Sequence, residues 1–292
     1  MSSRIKIFTY AIATALFAVP ANAETVWADG VSKKTGWIDI NKNWQTDKFH
    51  CWAASAANII AWWQEKVGEE RIPAGTPKGA DAIFTAISDT FVDCGRGADI
   101  AWKWYFGGCD LVEFNYEHDF RNPENARTSG RFWQNNILKK YGWAKPRQGV
   151  PAYIEAGFAY DTSPDARNAE RLAETIVRLF KEGKGITLDL GPGGAFPQGH
   201  AITLWGIDYR GNRIKSLYIT DSDDRCTGLK KYDVAYVTTQ ETQGDGKDGK
   251  AVTTWEKTTI FLQNYCGSDR YHILNWAALG LPRPVPAKSG NR

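Results

Sequence analysis

Residues 199–223, GHAITLWGIDYRGNRIKSLYITDSD, hold the pattern that decides the predicted fold of this chain. Two runs within it, HAITLWGID and RIKSLYIT, are rich in β-branched and aromatic residues, and the short segment YRGN joins them. We therefore expect an antiparallel hairpin whose two-residue loop is either Arg210–Gly211 or Gly211–Asn212.

This hairpin brings a histidine and two aspartates to one face. In the first register His200 lies opposite Asp221, and in the second it lies opposite Asp223. Asp221 and Asp223 are two residues apart, so their side chains point to the same side of the strand. In either register this is the side on which the His200 side chain lies. Opposite residues have Cβ atoms about 5 Å apart, close enough for a carboxylate to orient an imidazole. The plainer interpretation of TDSDD is a solvated turn. A calcium loop is disfavoured because the glycine and distal glutamate of an EF-hand are absent.

A cysteine opens an alanine-rich helical pattern upstream of the hairpin. The segment QTDKFHCWAASAANIIAWWQEK, residues 45–66, predicts a helix from Cys51 to Lys66, and Gly68 follows it. A thiol reacts as its thiolate, which the N–H groups and the dipole of a helix start stabilise. A cysteine at a helix start is more often structural than reactive, so a reactive Cys51 also requires a base.

The chain has four histidines that could serve as this base. His50 adjoins Cys51 but points to a different side, and His118 and His272 are interpreted as surface or core packing. His200 follows the glycine-rich segment GPGGAFPQG and opens a strand, which leaves its imidazole at an edge open to a partner. His200 is therefore the predicted base.

The predicted chemistry is that of a Cys-His-Asp set. Cys51 would attack a carbonyl as thiolate, His200 would carry the proton, and Asp221 would orient the ring. The oxyanion of the tetrahedral intermediate needs two donors, of which the backbone N–H of Cys51 is one. Gln45 and Lys42 are the candidates for the second, and the spacing of six residues before the cysteine favours Gln45.

The rest of the chain divides into a helical and a strand-rich part. The segment SPDARNAERLAETIVRLFKEGKG, residues 163–185, predicts a helix capped by Ser163, with Pro164 in its first turn and Gly183 at its end. Five predicted strands follow Gly185: ITLDL, HAITLWGID, RIKSLYIT, VAYVTT and TTWEKTTIFLQ. We therefore expect an α+β protein with a helical first half, an antiparallel β-rich second half and two lobes that meet at a cleft.

The first 23 residues predict a secretory signal. Arg4 and Lys6 precede an apolar stretch at residues 7–19, and Ala21-Asn22-Ala23 has the small-x-small form of a cleavage site. The apolar stretch is too short to span a bilayer. We expect secretion, extracellular or periplasmic, of one mature domain. Its predicted parts are a helical lobe at about 24–185 and a β-rich lobe at about 186–292.

Charge and composition exclude some partners. Cleavage after Ala23 removes two of the 36 basic residues and leaves 34 against 33 acidic ones, with no basic stripe. This balance argues against a nucleic acid or a membrane surface as partner. No cofactor is predicted, and the chain has no CxxC or HxxxH spacing of the kind that binds zinc.

Five cysteines in an exported chain suggest two disulfides and one free thiol. If Cys51 is the free thiol, nearness in sequence favours the pairs Cys94–Cys109 and Cys226–Cys266. The alternative is that all five are buried thiols.

Four segments of the chain resemble the IdeS/Mac family, the streptococcal immunoglobulin G-degrading cysteine endopeptidases. They are VWADGV, GWIDINKNWQTDKFHCWAASAANIIAWW, GHAITLWGIDYRGNRIKSLYITDSD and KKYDVAYV, in the family's order and spacing. The resemblance does not extend to residues 70–160 or beyond about residue 240.

The resemblance implies a papain-like fold, and it assigns roles by motif position. The implied residues are the nucleophile Cys51, the base His200, the orienting Asp221, a second important aspartate at Asp223 and an oxyanion lysine at Lys42, in the segment DINK. The loop before the cysteine is one residue shorter here, which keeps Gln45 as the other oxyanion candidate.

The resemblance also implies a protein substrate, immunoglobulin G cut in the heavy chain just below the hinge. The family recognises the folded antibody through surfaces that lie largely where this chain does not match. Four of the five cysteines of this chain also depart from the family pattern. Two alternatives to an endopeptidase stay open: a deamidase or acyl transferase with the same residues, and a module that binds antibodies or other host proteins with a vestigial triad.

Overall fold

The structure is a computed structural model, and it describes residues 23–43, 45–68, 72, 74–92, 97–106, 153–192, 199–223, 227–243 and 252–280. The secondary structure within these ranges, in chain order, is β1 (Glu24–Trp27), α1 (Cys51–Val67), α2 (Ala80–Thr90), α3 (Ala98–Phe106), β2 (Ile154–Phe158), α4 (Asn168–Lys181), β3 (Gly185–Pro192), β4 (His200–Arg210), β5 (Arg213–Thr220), β6 (Lys230–Gln243), β7 (Thr253–Leu262) and β8 (Tyr271–Leu279). The predicted signal segment, apart from Ala23, lies outside the described residues.

Six antiparallel strands close into a barrel. Their order is β4-β3-β8-β7-β6-β5, and β5 pairs again with β4. The strands β1 and β2 lie outside this ring, where β1 pairs with β4 and β2 pairs with β8. Closure leaves no free edge on β3, β4 or β5, the strands next to the histidine.

The expected papain-like, two-lobed fold with a helical first half is therefore wrong. Strand residues outnumber helical residues in the described ranges, and two strands from the predicted helical half, β1 and β2, belong to the same sheet as the rest. Buried side chains of the helices and of the barrel also form one continuous core rather than two. The sequence pattern misses this arrangement because β1 and β2 are only four and five residues long.

The predicted hairpin is present, in the second of its two registers. Arg210 pairs with Arg213 across a Gly211–Asn212 loop, and Gly211 has a positive φ of 58°, which favours glycine. Two irregularities shift the register and then restore it, one at Trp205 on β4 and one at Lys215 on β5. The register at the start of β4 is therefore the same as at the loop.

The alanine-rich helix α1 occupies the centre of the molecule. It packs against β3, β4, α2 and α3, and its side chains are buried on nearly every side. Gly185 at the start of β3 permits this close approach, since a Cβ there would lie 2.6 Å from Ile59 Cγ2. The predicted end of the helix is confirmed, because Gly68 follows it with a φ of 85°.

The amphipathic helix α4 buries its predicted apolar stripe, formed by Leu172, Ala173, Ile176, Leu179 and Phe180. Its predicted start is wrong, because the helix begins at Asn168 and not after Ser163. Contacts with the preceding segment account for this start. The Asn168 side chain donates to the Tyr160 carbonyl at 2.9 Å, and the Ala169 N–H donates to the Asp161 carboxylate at 3.4 Å.

No helix in the described ranges is both long enough and apolar enough to cross a bilayer.

Candidate active site

Cys51 is the first residue of α1, and its side chain is almost fully buried, with 7% of the residue exposed. The backbone N–H of Ala201, on β4, donates to Cys51 Sγ at 3.4 Å. Burial opposes ionisation of the thiol, but a hydrogen bond with His200 and the positive charge of His200 outweigh it. The pKa of Cys51 is therefore below its usual value.

His200 is the first residue of β4 and lies beside Asp221, which directly follows β5. His200 Nε2 is 2.6 Å from Asp221 Oδ1, and Asp221 is 2% exposed. Burial disfavours the charged ring, but hydrogen bonds with Asp221 and Cys51 reverse this effect, so the pKa of His200 is well above its usual value. Burial would raise the pKa of Asp221, but the His200 hydrogen bond and charge lower it below its usual value. Both shifts favour the imidazolium form of His200 and the carboxylate form of Asp221.

A second carboxylate, Asp223, lies on the other side of the imidazole. Its Oδ2 is 3.6 Å from His200 Nδ1, and its backbone N–H donates to Asp221 Oδ1 at 2.9 Å. Lys42 Nζ is 2.6 Å from Asp223 Oδ1 and donates to the Lys48 carbonyl at 2.5 Å. The Lys42 N–H also donates to the Ser222 carbonyl at 3.1 Å, which ties the segment before α1 to the segment after β5.

The two candidate oxyanion donors differ in position. Lys42 is 7% exposed, lines the same cleft as Cys51, and its positive charge lowers the pKa of that thiol. Gln45 is exposed, and its backbone N–H donates to Asn43 Oδ1 at 2.9 Å. The contacts therefore favour Lys42 over Gln45, against the preference that spacing alone gave.

A tyrosine that the sequence did not indicate completes the set. Tyr265, in the turn between β7 and β8, donates its hydroxyl hydrogen to Asp221 Oδ2 at 2.5 Å. It lies 44 residues after Asp221, in a chain with twelve tyrosines. No local pattern distinguishes it from the others, so only the tertiary fold reveals it.

The remaining histidines have other surroundings. His50 is fully buried, and its ring packs near Trp52 with 6.1 Å between the ring centroids. His272 on β8 pairs with Phe261, and their rings are 5.2 Å apart. Partial burial lowers the pKa of His272. His118 lies outside the described residues.

The cysteine pairing differs from the expectation. Cys266 is a free, exposed thiol, so the predicted Cys226–Cys266 disulfide is absent from the structure. Cys94, Cys109 and Cys226 lie outside the described residues, and the Cys94–Cys109 pair stays a prediction.

These residues surround one cleft. Its lining residues are Lys42, Lys48, Phe49, Cys51, Gly199, His200, Asp223, Tyr265, Cys266 and Tyr271. The thiol, the imidazole and the lysine ammonium therefore face a common space that a substrate carbonyl can enter. The start of α1 and the segment before it supply one part of the lining, and the ends of barrel strands with their adjoining loops supply the rest.

His200, Asp221 and Asp223 also place possible metal-ligand atoms within 4.8 Å of one another. Both aspartates already have partners at one carboxylate oxygen. Asp221 Oδ1 contacts the imidazole at 2.6 Å, and Asp223 Oδ1 contacts the Lys42 ammonium at 2.6 Å. A cation there would face an adjacent positive charge, so the donor set fits an ion-pair network better than a metal.

Chemically, the arrangement provides an activated sulfur nucleophile. A thiolate at a helix start, an imidazolium beside it and a buried carboxylate behind the ring are the groups that acyl transfer through sulfur requires. Because His200 Nε2 faces Asp221, Nδ1 is the nitrogen left for the thiol.

Comparison with known proteins gives one family match. No curated protein matches the chain. A family model matches residues 165–254, a segment that includes His200, Asp221 and Asp223, whereas Cys51 and Lys42 lie outside it. The model is described as Mac 1, and the match confirms over these residues the resemblance to the IdeS/Mac family.

Proposed function

We propose that this protein is a secreted cysteine endopeptidase that hydrolyses peptide bonds in a protein substrate. The observation that carries the proposal is the arrangement of Cys51, His200 and Asp221. The thiol and the imidazole line one cleft, the imidazole lies 2.6 Å from a buried carboxylate, and His200 lowers the pKa of the thiol. The Mac 1 match over the segment that holds the histidine and both aspartates supports the same activity.

In the proposed mechanism, the Cys51 thiolate attacks the scissile carbonyl carbon and forms a tetrahedral intermediate. His200 then donates its proton to the leaving amine, and the C–N bond breaks to leave a thioester on Cys51. Water, deprotonated by His200, hydrolyses the thioester and restores the thiol. Asp221 keeps the ring oriented and favours its protonated form through both steps.

The intermediate's oxyanion requires hydrogen-bond donors on the cleft side of the thiol. The backbone N–H of Cys51 is one candidate, because the first N–H groups of a helix have no intrahelical acceptor. The Lys42 ammonium is the second, since it lines the cleft and acts on the Cys51 charge. Its bonds to Asp223 and to the Lys48 carbonyl hold it in place for this role.

The proposed substrate is the immunoglobulin heavy chain near its hinge, and this choice rests on the family resemblance. The test is to incubate the protein that starts at Glu24 with a panel of immunoglobulin classes and with the same proteins unfolded. New heavy-chain termini from folded antibody, absent with Cys51→Ala, support the proposal. Cleavage of unfolded protein alone would keep the endopeptidase and remove the immunoglobulin substrate.

The same experiment separates the alternatives. A mass increase at glutamine without a new terminus would indicate deamidation, and attachment of an added amine would indicate acyl transfer. Stable antibody binding without any covalent change, by a protein whose Cys51 resists alkylation, would indicate a binding module.

Export is part of the proposal. Cleavage after Ala23 leaves β1 whole, because that strand begins at Glu24. The N-terminal residue of protein collected outside the producing cell tests the processing site. A start other than Glu24 would contradict it.

A further inference from the structure

The turn between β7 and β8 has an unusual backbone. Asn264 and Cys266 have positive φ angles of 53° and 51°, and they are the non-glycine residues of the described chain with this conformation. Such positions are uncommon and strained, and they persist where surrounding contacts enforce them. The Asn264 N–H donates to Asp269 Oδ1 at 2.5 Å, and Tyr265 forms an isolated bridge with Ser268, which together fix the turn.

The residue between the two strained positions is Tyr265, and its side chain is directed into the protein. It is 1% exposed. Its ring packs edge-on against Tyr232 and Tyr271, with centroids 5.2 Å and 5.1 Å away, and lies 6.5 Å from the His200 ring. These contacts leave the hydroxyl group one direction, toward Asp221.

Asp221 depends on this hydroxyl for one of its two oxygens. Oδ1 lies 2.6 Å from His200 Nε2 and accepts a hydrogen bond from the Asp223 N–H at 2.9 Å. Oδ2 accepts a hydrogen bond from the Tyr265 hydroxyl at 2.5 Å. A carboxylate buried to this extent is costly unless both oxygens have donors. With Oδ2 held, the carboxylate cannot rotate away from the imidazole.

We propose that Tyr265 is a positioning residue that fixes the Asp221 carboxylate against His200 and so maintains the reactive thiolate at Cys51. The assignment rests on the proposed function only where turnover is measured, because the reactivity of the thiol can be followed without a substrate.

The test replaces the hydroxyl with hydrogen in Tyr265→Phe and follows the alkylation rate of Cys51 by iodoacetamide at near-neutral pH. We expect the rate to fall by roughly tenfold to a hundredfold, the loss typical of misplaced catalytic groups. In an Asp221→Asn background the same change should have no further effect, since Tyr265 acts through that carboxylate. The Asp221 titration, followed by the NMR signal of its carboxyl carbon, should move to higher pH.

The matched control is Tyr218→Phe. It removes the hydroxyl of another buried tyrosine, which donates to a partly buried carboxylate, Asp208 Oδ2 at 3.0 Å, at a site outside the cleft. This variant should leave both the alkylation rate and the Asp221 titration unchanged.

The charged and titratable groups that act on Asp221 define what the titration reports. They are His200 on β4, Asp223 after β5, and Tyr265 and Cys266 in the turn, with Lys42 paired to Asp223. Only Tyr265 loses a group in the variant, so a shift is attributable to the lost donor.

An unchanged alkylation rate in folded Tyr265→Phe would overturn the assignment, as would an equal loss in the Asp221→Asn background. If Tyr265→Phe does not fold, a fluorinated tyrosine at position 265 keeps the ring and its O–H and strengthens the donor. The Asp221 titration must then move to lower pH, and an unmoved titration overturns the assignment. If wild-type protein cleaves no substrate while this dependence holds, the peptidase function fails and the role of Tyr265 stands.

Discussion

At the scale of single residues, the two described thiols lie in one cleft but differ in ionisation. Burial is outweighed at Cys51 by the His200 hydrogen bond and charge, which lower the pKa of that thiol. At Cys266, partial burial of the thiol and the negative charge of Asp221 raise the pKa. We therefore expect the more exposed thiol to be the less reactive one.

We accordingly predict that limiting iodoacetamide at near-neutral pH labels Cys51 in preference to Cys266, because the thiolate is the reacting form. Peptide mass spectrometry after short exposure measures both positions. Labelling should stop all activity, and Cys51→Ala should lack activity while keeping the wild-type circular dichroism spectrum. Preferential labelling of Cys266, or full activity after modification of Cys51, would contradict the nucleophile assignment.

Lys42 and Gln45 allow a direct comparison of the two oxyanion candidates. Loss of an oxyanion donor typically costs on the order of 10²- to 10³-fold in kcat, so Lys42→Ala should show a loss of that size. Gln45 is exposed, and Gln45→Ala should change kcat little. Steady-state kinetics on one substrate measures both variants, and a larger loss for Gln45→Ala would reverse the assignment. Because Lys42 also contacts Asp223, thermal unfolding of each variant must accompany the kinetics.

At the scale of secondary-structure elements, the site depends on how α1 is fixed against β4. Cys51 belongs to the helix and His200 to the strand, so their contact requires a fixed spacing between the two elements. Asn58 on α1 donates to Thr203 Oγ1 on β4 at 3.1 Å, and both residues are buried. This side-chain bond links the elements two helical turns beyond the thiol.

We predict that Asn58→Ala and Thr203→Val each lower the free energy of unfolding by about 1–3 kcal/mol, the cost of removing a buried hydrogen-bond partner. The double variant should lose less than the sum of the two, because both changes remove the same bond. Urea denaturation measures all three. The exposed pair Thr238 and Thr258, whose hydroxyl oxygens are 3.2 Å apart on β6 and β7, is the control and should show little loss. Strict additivity at the buried pair would show that the bond does not couple α1 to β4.

Much of the local structure could be predicted from the sequence, because periodicity and turn chemistry act over short distances. The helix at Cys51, the apolar stripe of α4 and the hairpin have this origin, although the sequence left two loops open and the structure selects Gly211–Asn212. Hairpin geometry by itself also predicts that His200 and both aspartates share one face, since side chains alternate along each strand.

The features that sequence reasoning missed arise from long-range contacts. The barrel requires β3 to pair with β8, so that Gly185 lies opposite Leu279, and the five strands predicted after Gly185 do not include β8. The start of α4 is set by contacts with Tyr160 and Asp161, which override the cap signal at Ser163. Tyr265 reaches Asp221 only because the β7–β8 turn folds over the end of β5.

At the scale of the whole molecule, folding partly buries a carboxyl group that the proposed mechanism does not use. Asp189 on β3 pairs with Ala201 on β4 and Asn275 on β8, in the middle of the barrel wall. Burial, with a contribution from the charge of Asp99, raises its pKa to about 6. Hydrogen bonding to Asn275 offsets only part of this rise.

A group whose pKa is raised by folding binds its proton more tightly in the folded state, so its contribution to stability is present at low pH. That contribution is lost as the pH rises from the unfolded value of 3.8 through about 6. One pKa unit corresponds to about 1.36 kcal/mol. The free energy of unfolding of Asp189→Asn, whose side chain cannot ionise, should therefore exceed that of wild type by up to about 3 kcal/mol at about pH 7.5 and by almost nothing at about pH 4.

Asp208 is the control of opposite sign, because hydrogen bonds from Lys231, Thr25 and Tyr218 overcome its burial and lower its pKa. Asp208→Asn should therefore be less stable than wild type at about pH 7.5, with the difference shrinking as the pH falls. Urea unfolding at both pH values measures the four differences. An Asp189→Asn gain that does not change with pH would mean that Asp189 folds with its carboxylate charged, and that the barrel wall there is open to water.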